Sequence, residues 1–209
     1  MDAGPMAVAN RIPRMHASDR REQILQATSE MVADRGFHDI SIEAIARAAG
    51  VSRPIVYDHF GDLAGLLEAL LDRVANRAAQ QLAPVLPSAR QAGNRREQFL
   101  AALRGYLEAA RSDPVTWRLV LMPPEGVPEI LRQRVAIGRN AVLSQLAAAT
   151  APGLASPDPQ LTARILSVIA DEAVRLMLTD PHEYPIARFL AEGSWLLERL
   201  DAPPAQSAY

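Results

Sequence analysis

Cysteine is missing altogether from these 209 residues, which excludes disulfides, thiolate metal sites and a cysteine nucleophile. Lysine is missing too: all 22 basic residues are arginine, which reflects genomic base composition rather than function. Aromatic residues are sparse, with four Phe, four Tyr and two Trp. β-Branched residues are scattered and no alternating run stands out, so an Ala- and Leu-rich chain is expected to be helical. Neither sign of charge dominates. The formal net charge of −2 points to no nucleic-acid or membrane partner by itself. No apolar run approaches the roughly 18 residues of a membrane span, and residues 1–15 lack a secretory apolar centre; a soluble, cytoplasmic protein is expected. Catalytic signatures are absent as well. His16, His38, His59 and His182 form no HExxH or E-x-x-H pattern, and there is no GxSxG, Walker or GxGxxG motif. Asp58 and His59 near Ser52 do not make a triad. An enzyme is not expected, and no cofactor or metal is implied.

What is present is organised around residues 41–60, SIEAIARAAGVSRPIVYDHF. Ser41 is a helix N-cap candidate, and Glu43 in the first turn suits the helix dipole. Ile42, Ile45, Ala46 and Ala49 then share one apolar stripe. Gly50 stands where a left-handed C-terminal cap needs a residue without a Cβ. Ser52 caps the next helix and Pro54 occupies its first turn, where a missing N–H costs least. Val56 and Phe60 can face inward, which leaves Arg53, Ile55, Tyr57 and His59 for another face. Helix, short glycine turn and second helix with a polar outer face is the helix-turn-helix pattern. Upstream, a helix over 19–34 is capped by Ser18 or Asp19, with Glu22 in capping-box register. Its inward stripe is Ile24, Leu25, Thr28, Met31 and Val32, Gly36 ends it, and Phe37 turns into the core. Residues 1–18, with Pro5 and Pro13, read as a flexible arm.

The run from Arg20 to Leu67 resembles the DNA-binding domain of TetR-type transcriptional regulators. The resemblance rests on Ile24, Leu25, Ala27, Gly36, Phe37, Ser41, Ile45 and Ala46, then on Ala49-Gly50-Val51-Ser52, Tyr57, His59-Phe60 and Leu66. It covers under a quarter of the chain. Two positions depart from the family: Leu63 stands where Lys commonly touches phosphate, and Pro54 where Gly is frequent. The resemblance implies that Ser52 to His59 is a recognition helix for double-stranded DNA. Arg53 would then fork onto a guanine edge, and Pro54 and Ile55 would pack on thymine methyls. Tyr57, His59 and Ser41 would reach phosphates. Ser41 and Ser52 also have a purely local reading as caps. Charge lends this no support, because residues 10–60 hold seven Arg against seven Asp and Glu.

Beyond residue 62 the pattern stays helical. A long helix runs from 63 to about 82 on Leu63, Leu66, Leu67, Leu70, Leu71 and Val74, and Pro84, Pro87, Ser88 and Gly93 break it. Further helices are expected over 94–111, 115–122, 128–150, 161–179 and 185–200, with a loose tail over 203–209. The expectation is an all-α protein of about nine helices: an arm (1–18), a three-helix head (19–62) and a helical effector-binding and dimerisation body (63–202). Helix 161–179 is apolar around most of its circumference and must be covered on two sides. The resemblance implies that it and helix 185–200 form an isologous homodimer, presenting two recognition helices to a palindrome. It also implies a small-molecule effector inside the body. Candidate lining residues are Phe99, Leu103, Tyr106, Trp117, Leu121, Met122, Val142 and Met177, with Asn140, Asp171 and Arg175 as polar contacts. Most of these also read as plain core, and Asp171 and Arg175 at i,i+4 as a pair with each other. The functional expectation is a repressor released from its operator by a largely apolar effector. The alternative is a helical adaptor or ligand-binding protein without DNA binding.

Overall fold

A computed structural model describes residues 15–36, 40–122, 133 and 158–201, the side chains of 159, 163, 200 and 201 excepted. Among these residues there are nine helices and no strand: α1 (Ala17–Arg35), α2 (Ile42–Ala48), α3 (Arg53–Phe60), α4 (Leu63–Leu82), α5 (Val85–Arg90), α6 (Arg95–Ser112), α7 (Pro114–Leu121), α8 (Pro159–Thr179) and α9 (Ile186–Asp201). The protein is all-α, as its composition predicts. The expected helix 128–150 lies outside the described residues apart from 133, as do Phe37, residues 1–14 and the tail 203–209.

Most predicted boundaries agree with these helices to within two residues, and the disagreements have local causes. The first helix starts earlier and takes Ala17 and Ser18 from the expected arm; its N-cap is His16, with no side-chain cap bond. Glu22 is not in a capping box; it pairs across to Arg73 on α4 at 2.6 Å. The α5 helix was hidden by its prolines. Pro87 sits in its first turn, where the backbone N–H has no helical partner to lose. Conversely, Asn94 and Glu97 form a reciprocal capping box that starts α6.

One continuous apolar cluster runs through the molecule. In the head, α1, α2 and α3 close around Ile24, Leu25, Val32, Ile45 and Val56, all at most 2 % exposed. Along α4, Leu66, Leu70 and Val74 face that centre at most 1 % exposed, and burying each such side chain is worth roughly 1.5–3 kcal/mol. Further along, Ala78 and Leu82 join Tyr106, Leu107 and Trp117 of the body. The α7 helix packs on α1, α4 and α8, while α6 receives α5, α8 and α9. The α8 helix is covered on one side only. Ala173, Val174, Met177 and Leu178 are buried, whereas Leu161, Ile165, Val168 and Ile169 are each more than half exposed.

Two glycines shape the head for opposite reasons. Gly50 has φ +64° and open space around it, so the turn needs its left-handed backbone rather than its size. Gly65, in the first turn of α4, is needed for its size: a Cβ there would lie 2.3 Å from the Phe60 carbonyl oxygen. The end of α3 is thereby seated directly on the start of α4.

A polar seam ties head to body around Asp113, the N-cap of α7. Its carboxylate accepts from the Thr116 backbone N–H at 3.2 Å and hydroxyl at 2.8 Å, and from Gln81 Nε2 at 3.0 Å. Arg77 Nε lies 3.1 Å away. The same Arg77 guanidinium lies 3.7 Å from Glu22 on α1, and Arg73 reaches Glu22 and Ser29 there. Burial pulls the Asp113 carboxyl upward, but the Thr116 bonds, the Arg77 charge and the Gln81 bond together hold it below its ordinary value.

Two outcomes follow from these contacts. Gly65→Ala, which must push backbone aside, is expected to destabilise by about 1–3 kcal/mol in chemical denaturation, and unchanged stability would contradict the close seating. Because the folded pKa of Asp113 is depressed, its contribution is present above the unfolded value and lost as pH falls through the folded one. Asp113→Asn should therefore lower stability at neutral pH and make the loss on acidification shallower, measured by denaturation between neutrality and pH about 3.

Candidate nucleic-acid interface

The head builds one exposed helix face from a rigid back. Ser41 caps α2, its hydroxyl accepting from the Ala44 N–H at 3.2 Å. The Val51 N–H bonds to the Ala46 carbonyl at 2.9 Å and closes the turn. From α1, Gln23 donates to the Ala49 carbonyl at 2.8 Å, and Arg20 donates to Gln23. Arg21 of α1 covers the Phe60 ring at 4.9 Å, a cation–π contact that holds the far end of α3. Val56 at 0 % exposure fixes the rotation of α3 about its axis. Ser52, Arg53, Pro54, Tyr57 and Asp58 then fall on the outside, with Tyr57 51 % exposed.

The predicted site residues are brought together, with two corrections. Ser52 occupies the N-cap position of α3 but makes no side-chain cap bond, so its hydroxyl remains available on the face and its capping reading fails. Ile55 is half-buried and packs against the head core, so it contributes less of itself to the outer face than expected. His59 is half-buried at the rim, its ring centroid 6.1 Å from that of Phe60. Ser41 is exposed at the start of α2, where backbone N–H groups point outward. Leu63 is half-buried against the core, so no cation stands at that position of α4, and Asp62 caps the helix instead.

Sequence reasoning missed the electrostatics of the face. Glu43 takes two guanidiniums at once, Arg47 at 3.5 Å and Arg53 at 3.6 Å. All three side chains are well exposed, so each pair is worth at most about 1 kcal/mol and yields readily to a better partner. The signal for Arg47 was its i,i+4 spacing from Glu43. Arg53 comes near only because the turn folds α3 back beside α2.

The candidate pocket residues of the body divide. Tyr106, Trp117 and Asp171 meet in the interior: the Tyr106 hydroxyl donates to Asp171 at 2.7 Å, and the two aromatic rings meet edge-on with centroids 5.1 Å apart. Trp117 Nε1 donates to Gln81 at 2.7 Å. The expected Asp171–Arg175 pair is not what forms. Arg175 instead donates to the Leu121 carbonyl at 3.1 Å and to Glu172. The buried phenol outcompetes a neighbour that must reach around the helix surface. Leu121 and Met177 are buried in the core, while Phe99 and Leu103 are half-buried on α6. Met122 lines a cleft of about 330 Å³ between α1, α7 and α8, with Ala33, Arg118, Leu119, Leu178 and Thr179. Asn140 and Val142 lie outside the described residues. Among the described residues no helix is long and apolar enough to cross a membrane, and no group of His, Asp and Glu could hold a metal.

Comparison with known proteins matches residues 24–70 to the family of bacterial regulatory proteins called tetR. The chain is similar to the HTH-type transcriptional activator FasR of Mycolicibacterium smegmatis, with 33% identity over 118 residues that make up 56% of this chain and 51% of FasR. The match thus spans about half the length of that relative. With the HTH-type transcriptional regulator AlkX of Mycobacterium tuberculosis it shares 27% identity across 83% of this chain and 81% of AlkX. The crystal structure of a TetR-family regulator from Rhodococcus sp. superposes with a TM-score of 0.66 at 25% identity, covering 85% of this chain and 98% of the other. Residues 24–70 are thus a helix-turn-helix domain of the TetR family of transcriptional regulators, and the chain as a whole is similar to members of that family.

Proposed function

We propose that the chain works as a homodimeric repressor that reads a palindromic DNA operator with the outer face of α3 and leaves it when a largely apolar effector enters the body. The observation that carries this reading is the division of α3. Val56 is pinned at 0 % exposure while Ser52, Arg53, Pro54 and Tyr57 stand in solvent on the opposite side. Arg53 is the guanine-reading group, Pro54 and the exposed part of Ile55 meet thymine methyls, and Tyr57, His59 and Ser41 hold phosphates. Glu43 offsets one of the two positive charges of Arg47 and Arg53, so non-specific attraction is modest and operator choice rests on base contacts and fit.

The dimer is supported by the apolar side chains that α8 and α9 each leave bare. Leu161, Ile165, Val168 and Ile169 on α8, and Trp195 and Leu196 on α9, are all at least 46 % exposed. A second copy related by a twofold axis would cover these side chains with its own, through helices 161–179 and 185–200, and would set two α3 helices about 34–36 Å apart or a multiple of that. An apolar effector suits the body because Tyr106 and Asp171 are already hydrogen-bonded to each other, which leaves mostly hydrocarbon surface to offer.

Fluorescence anisotropy against the chain's own promoter region should give tight, salt-sensitive binding to a palindrome; weak, sequence-blind binding would favour the adaptor reading. Arg53→Ala should cost about 1–3 kcal/mol and relax one operator position, whereas equal loss on every sequence would rule out base reading by this residue. Ile165→Asp with Ile169→Asp should convert the dimer to a folded monomer in sedimentation analysis. A wild-type chain that sediments as a monomer at micromolar concentration would remove the twofold.

A further inference from the structure

We infer that Arg77, held between Glu22 of the head and Asp113 of the body, is a positioning residue that sets the angle of the DNA-reading head, and through it the operator spacing the protein accepts. The inference rests on the regulator reading above and goes beyond it, because it assigns spacing selectivity to named side chains far from DNA.

Three helices meet at Arg77. Its guanidinium reaches the Glu22 carboxylate of α1 at 3.7 Å and the Asp113 carboxylate at the start of α7 at 3.1 Å. One turn earlier on α4, Arg73 is clamped to α1 alone, through Glu22 and Ser29, with only 8 % of its side chain exposed. One turn later, Gln81 donates to Asp113 and accepts from Trp117. Trp117 touches Tyr106, and Tyr106 donates to Asp171 of α8. A polar line thus runs from the head helix, along one face of α4, into the body and on to the helix that carries the bare apolar strip.

Apolar packing also joins α1 to α7, but that attraction is non-directional and survives small rotations. The hydrogen bonds that Arg73 makes to α1 and that Gln81 makes with Asp113 and Trp117 are directional and weaken steeply when their angles change, and the Arg77 charge between them draws Glu22 and Asp113 toward one another. The apolar seam therefore holds head to body, and this polar line, with the Arg77 charge bridging its two halves, selects one angle among those the seam allows. Since the line takes in Tyr106 and Asp171, a change in that buried pair is felt at the head.

The chain lacks cysteine, so reporters can be placed one by one. Spin labels at Ala48→Cys on the head and Glu108→Cys on α6, both exposed positions, measure the head-to-body distance within one chain when labelled protein is diluted into unlabelled. Arg77→Gln and Asp113→Asn are introduced separately; asparagine still caps α7, so the helix start survives. Arg188→Gln, which breaks the exposed pair with Glu183, is the control for losing a charge. Both seam variants are expected to broaden or shift the distance distribution, with the control unchanged. They should also lower the preference for the native palindrome over one with two extra base pairs by about fivefold or more, while binding to an isolated half-site stays as in the wild type. A merely stabilising contact would not move the spacing preference. Wild-type distances and spacing preference in both variants would overturn the inference. If the wild type binds no palindrome, the regulator reading fails separately, and an unchanged distance distribution then also overturns the positioning role.

Discussion

A single rod of 20 residues has to serve both the head end and the body end of one continuous core. The first half of α4 lends Leu66 and Leu70 to the head, and its second half lends Ala78 and Leu82 to the body. No flexible linker intervenes, so each unit inherits the other's register. The Phe60 carbonyl resting against Gly65 fixes one end of this arrangement, and the carboxylate of Asp113 with its Arg77 and Gln81 partners fixes the middle. Everything that makes α3 a presentable surface depends on that strut being straight and held.

The outer face of α3 is built by exclusion rather than by charge. The head holds no surplus of arginine, and Glu43 occupies two of the guanidiniums that stand near the face. What singles the helix out is that Val56 commits its other side to the core, with Gln23 and Arg21 of α1 holding the turn and the far end. Long-range attraction would bring many proteins to DNA, whereas a fixed rotation of one short helix decides which side chains are presented; on the proposed reading these select the base edges.

How much of this was legible in the chain follows from the range of each interaction. Local signals read true. Ser41 caps α2, Gly50 takes a positive φ, and the stripe Leu66, Leu70, Val74 is buried, because caps, turns and periodicity involve residues within a few positions of one another. Even local rules failed where position inside the element mattered: Pro87 looked like a breaker but sits harmlessly in the first turn of α5, and Ser52 holds a cap position without bonding through its hydroxyl. The seam was invisible. Glu22 finds Arg73, Arg77 finds Asp113 and Tyr106 finds Asp171 across dozens of residues, and nothing in spacing announces such meetings. The Asp171–Arg175 pair illustrates the same point, since helical spacing proposed it and tertiary packing gave each partner a different bond.

The contact between Phe60 and Gly65 bears on how such a protein can diverge. Every replacement of glycine adds at least a methyl group, and at 65 the first atom added meets backbone rather than a yielding side chain. Drift at that site is closed off, while Arg53 and Pro54, which touch little of the protein, can be exchanged without disturbing the platform. Descendants of this chain can therefore change the outer side chains of α3 while the seat beneath it stays frozen.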